Sequence, residues 1–280
     1  GTVHKDPLNP LFGEDKSWEP RFDNPYCSII YDEEEQLYKC WYSIFIRSDG
    51  DANFPGEGLP SDQRAWVDWK EGKRGFGVCY ASSKDGIEWD KPELGLIDYN
   101  GSKANNIVIE YTHGVAVMKD LQEKDPEKRY KAIHPEKKDS KVWFSKDGIH
   151  WSEAIDVGPM DNGDTNQSVW WDEKLGKYVI ITRRWGGANT TGRYGRNGHR
   201  QKVRSESSDF LNWSKTELVM EGLDLRNQVH DLIVLPHAGM YIGLVGLFDI
   251  EASKQWCELA WSPNSIDWER ISPGTPLIPN

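Results

Sequence analysis

The heptapeptide SKDGIEW, at residues 83–89, recurs as SKDGIHW at residues 145–151. Two further segments resemble it, SDFLNW at 208–213 and SPNSIDW at 262–268. The tryptophans that end the four copies (Trp89, Trp151, Trp213 and Trp268) are separated by 62, 62 and 55 residues. Self-similarity at a nearly fixed period indicates an array of repeated supersecondary units.

Each copy follows an alternating, strand-like run, and Asp-Gly or its substitute supplies the residue types that a tight hairpin turn needs. A second apolar hairpin lies upstream in every period. Each unit therefore holds about four short strands, which is the content of a propeller blade. Gly and Pro interrupt the chain too often for long helices.

The sequence predicts an all-β protein, a β-propeller of the five-bladed type whose last blade is incomplete. We expect one domain over 1–280, with repeat units at roughly 21–98, 105–158, 164–222 and 227–280. Residues 1–20 are expected to form the outer strand of a closing blade, because ISPGTPLIPN at 271–280 resembles KDPLNPLFGED at 5–15. A closed four-bladed ring is the alternative.

The composition argues against several classes of partner. A net charge of −11 is spread along the 280 residues, and the one short basic stretch is at 193–204. Nucleic acid and anionic membranes are therefore not expected as partners. No apolar run reaches 18 residues, which argues against a membrane span. The four cysteines have no metal-binding spacing and are expected to be ordinary buried thiols.

Several segments together resemble one enzyme superfamily. They are the SxDGxxW turns, WEPRFDNPYCSIIYDEEEQLYKCWYS at 18–43, EKDPEKRYKAI at 123–133, RSESSDFLNWS at 204–214 and ELAWSPNSIDWER at 258–270. The chain is similar to the five-bladed propeller glycoside hydrolases, the superfamily that contains families 32, 43, 68 and 117. That resemblance implies an axial pocket walled by the innermost strand of each blade. It also implies glycosidic cleavage by carboxylates from different blades, whose separation decides inversion or retention.

Carried onto this chain, the resemblance suggests two catalytic carboxylates. Family members hold the first as the Asp of an Asp-Pro dipeptide, whereas FDNPY here places Asn24 before the proline and Asp23 one residue earlier. Asp23 is the candidate base or nucleophile, and a turn or strand-end cap is the alternative. Asp164 is the second candidate, with an Asx turn as the alternative, and Asp161 is a weaker one.

The other candidates are polar residues near the expected inner strands. His113 occupies the blade-two position where the family has an Asp. In NQVHDLIVLP, at 227–236, His230 can serve as a proton donor near neutral pH, as proposed for family 117, and Asp231 can orient or replace it. The alternative for each histidine is a structural role. Asn24 and Gln228 are further candidate substrate contacts.

Arg183 and Trp185 precede a Gly-rich polar loop at 186–198. Guanidinium groups bind carboxylate or sulfate, and indole rings stack on sugars. These residues therefore favour an anionic sugar as the substrate, and a solvated hairpin tip is the alternative.

The leading hypothesis is an exo-acting glycoside hydrolase that removes a terminal sugar from an oligo- or polysaccharide. The alternative is a non-catalytic carbohydrate-binding propeller, which the Asn-Pro departure and the missing blade-two Asp favour. A sialidase is a weaker third hypothesis. No cofactor or metal motif is present, although the resemblance leaves room for an axial Ca²⁺. The oligomeric state stays open, and a periplasmic or secreted location is favoured over a cytoplasmic one.

Overall fold

The computed structural model describes residues 3–4, 6–19, 22, 25–47, 74–99, 101–110, 112, 114–161, 163, 165–186 and 199–278. Strands dominate this part of the chain, and its one helix is a short 3-10 turn at Pro126–Lys128. None of the described residues belongs to a helix long and apolar enough to cross a membrane. The prediction of an all-β protein is confirmed.

Sixteen described strands form four antiparallel sheets of four strands each, and in every sheet the strands are neighbours in sequence order. We call these sheets blades 1 to 4. Blade 1 contains β1 (Ser28–Asp32), β2 (Leu37–Arg47), β3 (Arg74–Ser83) and β4 (Ile107–Glu110). Blade 2 contains β5 (Ala116–Lys119), β6 (Tyr130–His134), β7 (Lys141–Ser145) and β8 (Ile155–Asp156). Blade 3 contains β9 (Ser168–Asp172), β10 (Lys177–Gly186), β11 (His199–Ser207) and β12 (Glu217–Glu221). Blade 4 contains β13 (Asn227–His237), β14 (Met240–Asp249), β15 (Lys254–Ser262) and β16 (Glu269–Ile271).

The four predicted blades are confirmed, and each is the four-stranded meander that a propeller uses. The part of the chain that the structure describes contains no fifth sheet. One predicted boundary is wrong. The strand Ile107–Glu110 pairs with β3 and completes blade 1, whereas the repeat boundary at 105 assigned it to the second unit. This outer strand has only four residues and follows a long connection, so periodicity did not locate it.

The chain divides into two compact units. The smaller comprises Pro7–Val115 and Lys146–Trp151 and holds blade 1. Within it, the indole N–H of Trp41 donates to the carbonyl of Gly148 at 2.6 Å. The larger unit comprises Gly1–Asp6, Ala116–Ser145 and Ser152–Asn280 and holds blades 2 to 4. The prediction of a single domain over 1–280 stays a prediction.

The repeated turn makes the same backbone contacts in all four copies. In the first copy, Asp85 Oδ1 accepts the N–H groups of Ile87 and Glu88 at 2.8 and 2.9 Å. These hydrogen bonds and one from Ser83 lower the pKa of Asp85. The same pair of backbone bonds is made by the side chains of Asp147, Asp209 and Asn264. The repeated acidic residue therefore serves the turn.

The next residue in each turn has a left-handed backbone. Gly86 and Gly148 have φ values of +76° and +80°, and the degenerate copies place Phe210 and Ser265 there at +66° and +60°. The Phe210 side chain is buried in the core cluster between blades 2 and 3. Its burial offsets the strain that a non-glycine residue pays in this region.

Three hydrogen bonds join the region of β9 in blade 3 to β13 and β14 in blade 4. Thr165, just before β9, contacts Asp231 Oδ1 at 2.7 Å. Near the middle, the N–H of Val234 donates to Ser168 Oγ at 2.8 Å. At the far end, the Tyr241 hydroxyl donates to Asp172 Oδ2. We call these three contacts the blade 3–4 seam. A matching hydrogen bond joins Tyr178 to Asp120 of blade 2 at 2.6 Å.

Candidate active site

The predicted site residues fall into two groups. Asp23, Asn24, His113 and Asp164 lie outside the described residues. Arg183, Trp185, Gln228, His230 and Asp231 are described, and all five belong to blades 3 and 4. The structure brings these five together at the start of β13 and the facing ends of β10 and β11.

A β-bulge in β13 displays His230. Val229 pairs with Leu247 and Asp231 pairs with Gly246, so His230 is an extra residue without a partner in the ladder. A strand alternates its side chains between faces, and one extra residue resets that alternation. Bulges of this kind re-aim side chains next to active sites.

His230 and Asp231 form a hydrogen-bonded pair. The distance from His230 Nδ1 to Asp231 Oδ2 is 2.8 Å. His230 is 12% exposed at its side chain, and its hydrogen bond to a described residue is made through Nδ1 and not through Nε2. The imidazole is therefore held through Nδ1, which leaves Nε2 as the nitrogen available to a ligand.

The Asp231 carboxylate is held by further donors. Gln255 Nε2 donates to Oδ2 at 3.2 Å, and Thr165 donates to Oδ1. The buried ammonium of Lys202 lies 3.2 Å from Thr165 Oγ1. Burial opposes the ionisation of Asp231, but the hydrogen bond from His230 and the charges of His230 and Lys202 outweigh it. They hold the pKa of this carboxyl well below its usual range.

Trp185 lies among arginines. Arg200 is its direct cross-strand partner, and the Cζ atoms of Arg183 and Arg200 each lie 4.8 Å from the indole centroid. Both distances are within the range of a cation–π contact. The indole ring thus packs against guanidinium groups, whereas the sequence suggested that it offers a stacking face to a sugar.

Arg200 also reaches across to blade 4. Its Nη1 donates to Gln228 Oε1 at 2.9 Å, and its Cζ lies 5.2 Å from the Phe248 ring centroid. The His230 ring lies 6.1 Å from the same phenyl ring. Phe248 therefore lies between the arginine cluster and the His230–Asp231 pair, and the two groups form one continuous wall.

Sequence reasoning missed five residues of this wall, namely Thr165, Arg200, Lys202, Phe248 and Gln255. Arg200 and Lys202 belong to the short basic stretch at 193–204, which was noted only as an exception in an acidic chain. Thr165 and Gln255 had no signal, because they reach Asp231 from other parts of the fold. Asp161, the weaker candidate, accepts a hydrogen bond from Thr216 instead.

The described part of the chain contains no cluster of three or more His, Cys, Asp or Glu side chains that could hold a metal ion. The chemistry of the wall is that of cations, an amide and an imidazole–carboxylate pair, which suits hydrogen bonding to an oxygen-rich ligand and proton transfer.

The four blades and this wall together define a propeller-type protein with a polar site on blades 3 and 4. No protein-family model matches the chain, and no curated protein matches it. Solved structures do resemble it. An N-acetylgalactosamine deacetylase from F. plautii, in complex with blood group B trisaccharide, is 14% identical with a TM-score of 0.59, covering 94% of this chain and 72% of that one.

Two glycosidases have the same fold. An endo-1,4-beta-xylanase from Bacteroides thetaiotaomicron is 12% identical with a TM-score of 0.56, covering 93% of this chain and 75% of that one. A fructofuranosidase from Schwanniomyces occidentalis is 14% identical with a TM-score of 0.53. That match covers 88% of this chain, which spans 44% of the fructofuranosidase. The resemblance to the propeller glycoside hydrolases is therefore confirmed for the fold, and a shared fold does not itself define the reaction.

Proposed function

We propose that this protein is a glycoside hydrolase whose proton donor is His230. The observation that carries the proposal is the His230–Asp231 pair at the bulge of β13, with Nε2 of the imidazole open. A protonated imidazole can give its proton to a glycosidic oxygen near neutral pH, and the product imidazole can then act as a base. Asp231 fixes the tautomer and stabilises the imidazolium form.

Asp23 and Asp164 are proposed as the carboxylates that complete the reaction, by activating water or attacking the anomeric carbon. A separation of about 5 Å between the reacting groups would favour retention, and a wider gap would favour inversion. His113 and Asn24 are proposed as substrate contacts. An axial Ca²⁺ is not needed by this scheme, and no step depends on it.

The substrate is proposed to be a chain end that carries an anionic group, and the enzyme is proposed to act on it in an exo manner. Arg183 and Arg200 place two guanidinium groups in this wall, and such groups match a carboxylate or sulfate, while the buried ammonium of Lys202 adds a third positive charge behind them. Gln228 is buried, and its amide is held by Arg200 and by the carbonyl of Leu225, so its role as a substrate contact stays a prediction. Degradation of an acidic polysaccharide in a periplasmic or extracellular setting belongs to the same proposal.

A non-catalytic carbohydrate-binding propeller is the second candidate. Two observations favour it. The dipeptide before blade 1 is Asn-Pro, where the resembled family has Asp-Pro, so one carboxylate of the family is displaced. The wall around Trp185 is made of arginines, which bind an anionic sugar without cleaving it. Such a protein would hold the same oligosaccharides without releasing sugar.

The two candidates are separated by incubating the protein with a panel of neutral, sulfated and uronic oligosaccharides and measuring released sugar. We expect release from an anionic member. We expect His230→Gln to lower kcat/KM by about 10² to 10⁴-fold, with Asp23→Asn and Asp164→Asn lowering it as well. His237→Gln is the matched control, because His237 is an exposed histidine at the other end of the same strand. Binding without release supports the second candidate, and equal release by wild type and His230→Gln rejects His230 as the donor.

A fifth blade is proposed on the side of blade 4 that turns away from blade 3. Ile233, Leu244, Leu259 and Ile271 are successive cross-strand partners and share the face that turns away from blade 3. Ile271 is 45% exposed, and an apolar sheet face of this kind normally packs against another sheet. If a further blade covers it, Leu244→Glu should lower the Tm by several degrees, and an unchanged Tm would argue against that cover.

A further inference from the structure

We propose that Lys202 and Thr165 are positioning residues, which fix the direction of the hydrogen bonds that hold His230. The proposal rests on the proposed function in taking His230 as the group that transfers the proton. Neither Lys202 nor Thr165 contacts a ring nitrogen of His230. Their effect follows from which groups in the hydrogen-bonded chain can donate a hydrogen and which can only accept one.

The chain of contacts begins at a group that can only donate. Lys202 Nζ lies 3.2 Å from Thr165 Oγ1, and an ammonium has hydrogens but no lone pair to offer. The threonine oxygen must therefore accept this hydrogen bond. Its single hydrogen is left to point elsewhere.

The chain ends at a group that can only accept. Thr165 Oγ1 lies 2.7 Å from Asp231 Oδ1 and 2.9 Å from the carbonyl oxygen of His230. A hydroxyl has one hydrogen, and the shorter, charge-assisted bond to the carboxylate is the stronger of the two. The hydroxyl therefore donates to Asp231 and fixes the position of that carboxylate.

The remaining oxygen of Asp231 then sets the state of the imidazole. Oδ2 is an acceptor 2.8 Å from His230 Nδ1, so Nδ1 carries the hydrogen and Nε2 is the nitrogen that faces a ligand. Lys202 is fully buried and Thr165 likewise, so solvent does not compete for these bonds. The positive charge of Lys202 favours the ionised form of this carboxyl.

Within the described part of the molecule, the charged groups around this chain come from three strands. Asp231 and His230 lie on β13, Lys202 and Arg200 on β11, and Arg183 on β10. Gln255 on β15 is a neutral donor to the same carboxylate. Thr165 is the one hydroxyl among these groups, so its removal tests the chain without changing a charge.

The test is the tautomer of His230, read from the ring nitrogen shifts of protein labelled with ¹⁵N-histidine at about pH 8.5, which is above the ordinary pKa of a free imidazole. Comparison with His230→Gln assigns the signal among the seven histidines. We expect one Nδ1–H tautomer in the wild type. In Thr165→Val we expect the minor tautomer to rise by about threefold or more, and in Thr165→Ser we expect the wild-type spectrum.

Thr182→Val is the matched control. Thr182 is a fully buried threonine of the same blade whose hydroxyl has no hydrogen-bond partner in the described chain. We expect no change in the His230 signal there. Lys202→Met keeps the Thr165 hydroxyl but removes the ammonium that donates to it. This variant should also raise the population of the minor tautomer, and it replaces Thr165→Val in the test if Thr165→Val does not fold.

An unchanged His230 tautomer in both folded variants overturns the proposal. Because the measurement needs no substrate, its outcome is independent of the sugar-release panel. A changed tautomer together with a silent panel would reject the proposed function and leave this inference standing.

Discussion

Val229 and Leu232 pack into the same hydrophobic cluster between blades 3 and 4, although three positions separate them along one strand. Regular alternation would place them on opposite faces. The bulge at His230 reconciles the two, because the extra residue restores Leu232 to the buried face. The site histidine therefore occupies a position that the ladder itself does not need.

Deletion of His230 should accordingly leave a folded protein. Without it, Val229 and Leu232 would be separated by Asp231 alone, and ordinary alternation would place both in the core. We expect a loss of at most about 2 kcal/mol in the free energy of unfolding, together with the loss of any sugar release. Thermal and urea unfolding measure the first expectation.

Deletion of Ile233 is the control for that experiment. It lies in the regular part of the same ladder, and its removal would shift every later side chain of β13 to the wrong face. We expect this variant not to fold. If both deletions lower the free energy of unfolding equally, the extra residue of the bulge is not dispensable for folding.

The hydrogen bond from Tyr178 to Asp120 should contribute measurably to stability. Asp120 is fully buried, and Lys131 Nζ at 3.1 Å is its ion-pair partner. Burial and this carboxylate raise the pKa of the Tyr178 hydroxyl, so it remains a donor. Tyr178→Phe should lower the free energy of unfolding by about 1 to 3 kcal/mol. Tyr31→Phe is the control, because that hydroxyl bonds Gln36 on the surface and its loss should be nearly neutral; similar losses in the two variants would contradict the argument.

The left-handed turn position should resist substitution at Gly86. Its φ is +76°, and an added Cβ would meet only ordinary contacts with the Tyr38 ring at 3.7 Å. Gly86→Ala should therefore lower the free energy of unfolding through backbone strain alone, by about 1 to 2 kcal/mol. Gly13→Ala places a methyl group in open space, where φ is not left-handed, and should cost almost nothing. Equal melting temperatures for the two variants would show that the turn tolerates alanine.

Acid should remove the contribution that Glu123, in the loop before β6, makes to the free energy of unfolding. Partial burial works against the charge of Glu123, yet bonds from the Asp125 N–H and from Lys131 lower its pKa to about 2. A carboxyl with a lowered folded pKa stabilises the protein above its unfolded pKa of about 4.3 and loses that effect below it. The stability difference between wild type and Glu123→Gln should thus be constant from neutral pH to about pH 5 and shrink towards pH 2.

Unfolding at a series of pH values measures this difference. Glu127→Gln, in the same loop, is the control and should show no such trend. A wild-type advantage that persists unchanged to pH 2 would mean that Glu123 acts through its shape and not through its charge.

The fold could be predicted because its strongest signal is local. The Ser-x-Asp turn and the tryptophan that follows it are fixed by hydrogen bonds within seven residues, so they recur as readable sequence. The third copy even contains a full heptapeptide, since Ser207 contacts Asp209 as Ser83 contacts Asp85. The outer strand β4 escaped notice, because a four-residue strand after a long connection has no periodic signature.

The site was less predictable because its contacts join distant segments. His230 and Asp231 are adjacent in the chain and could be proposed together, but the donors to Asp231 come from Thr165 and Gln255. The contact of Trp185 with Arg200 depends on the register between β10 and β11, which no local pattern reveals. Asp23 and Asp164 stay predictions.

The seam between blades 3 and 4 has a consequence for ligand recognition. Hydrogen bonds at its two ends and at its centre, from Thr165 to Tyr241, oppose sliding and separation of the two sheets at this interface. The wall beside His230 is therefore preorganised, and a sugar that docks against it would lose its own freedom without having to order the protein. Selectivity at this wall should come from the fixed spacing of its charges, and induced closure of these two sheets should contribute nothing.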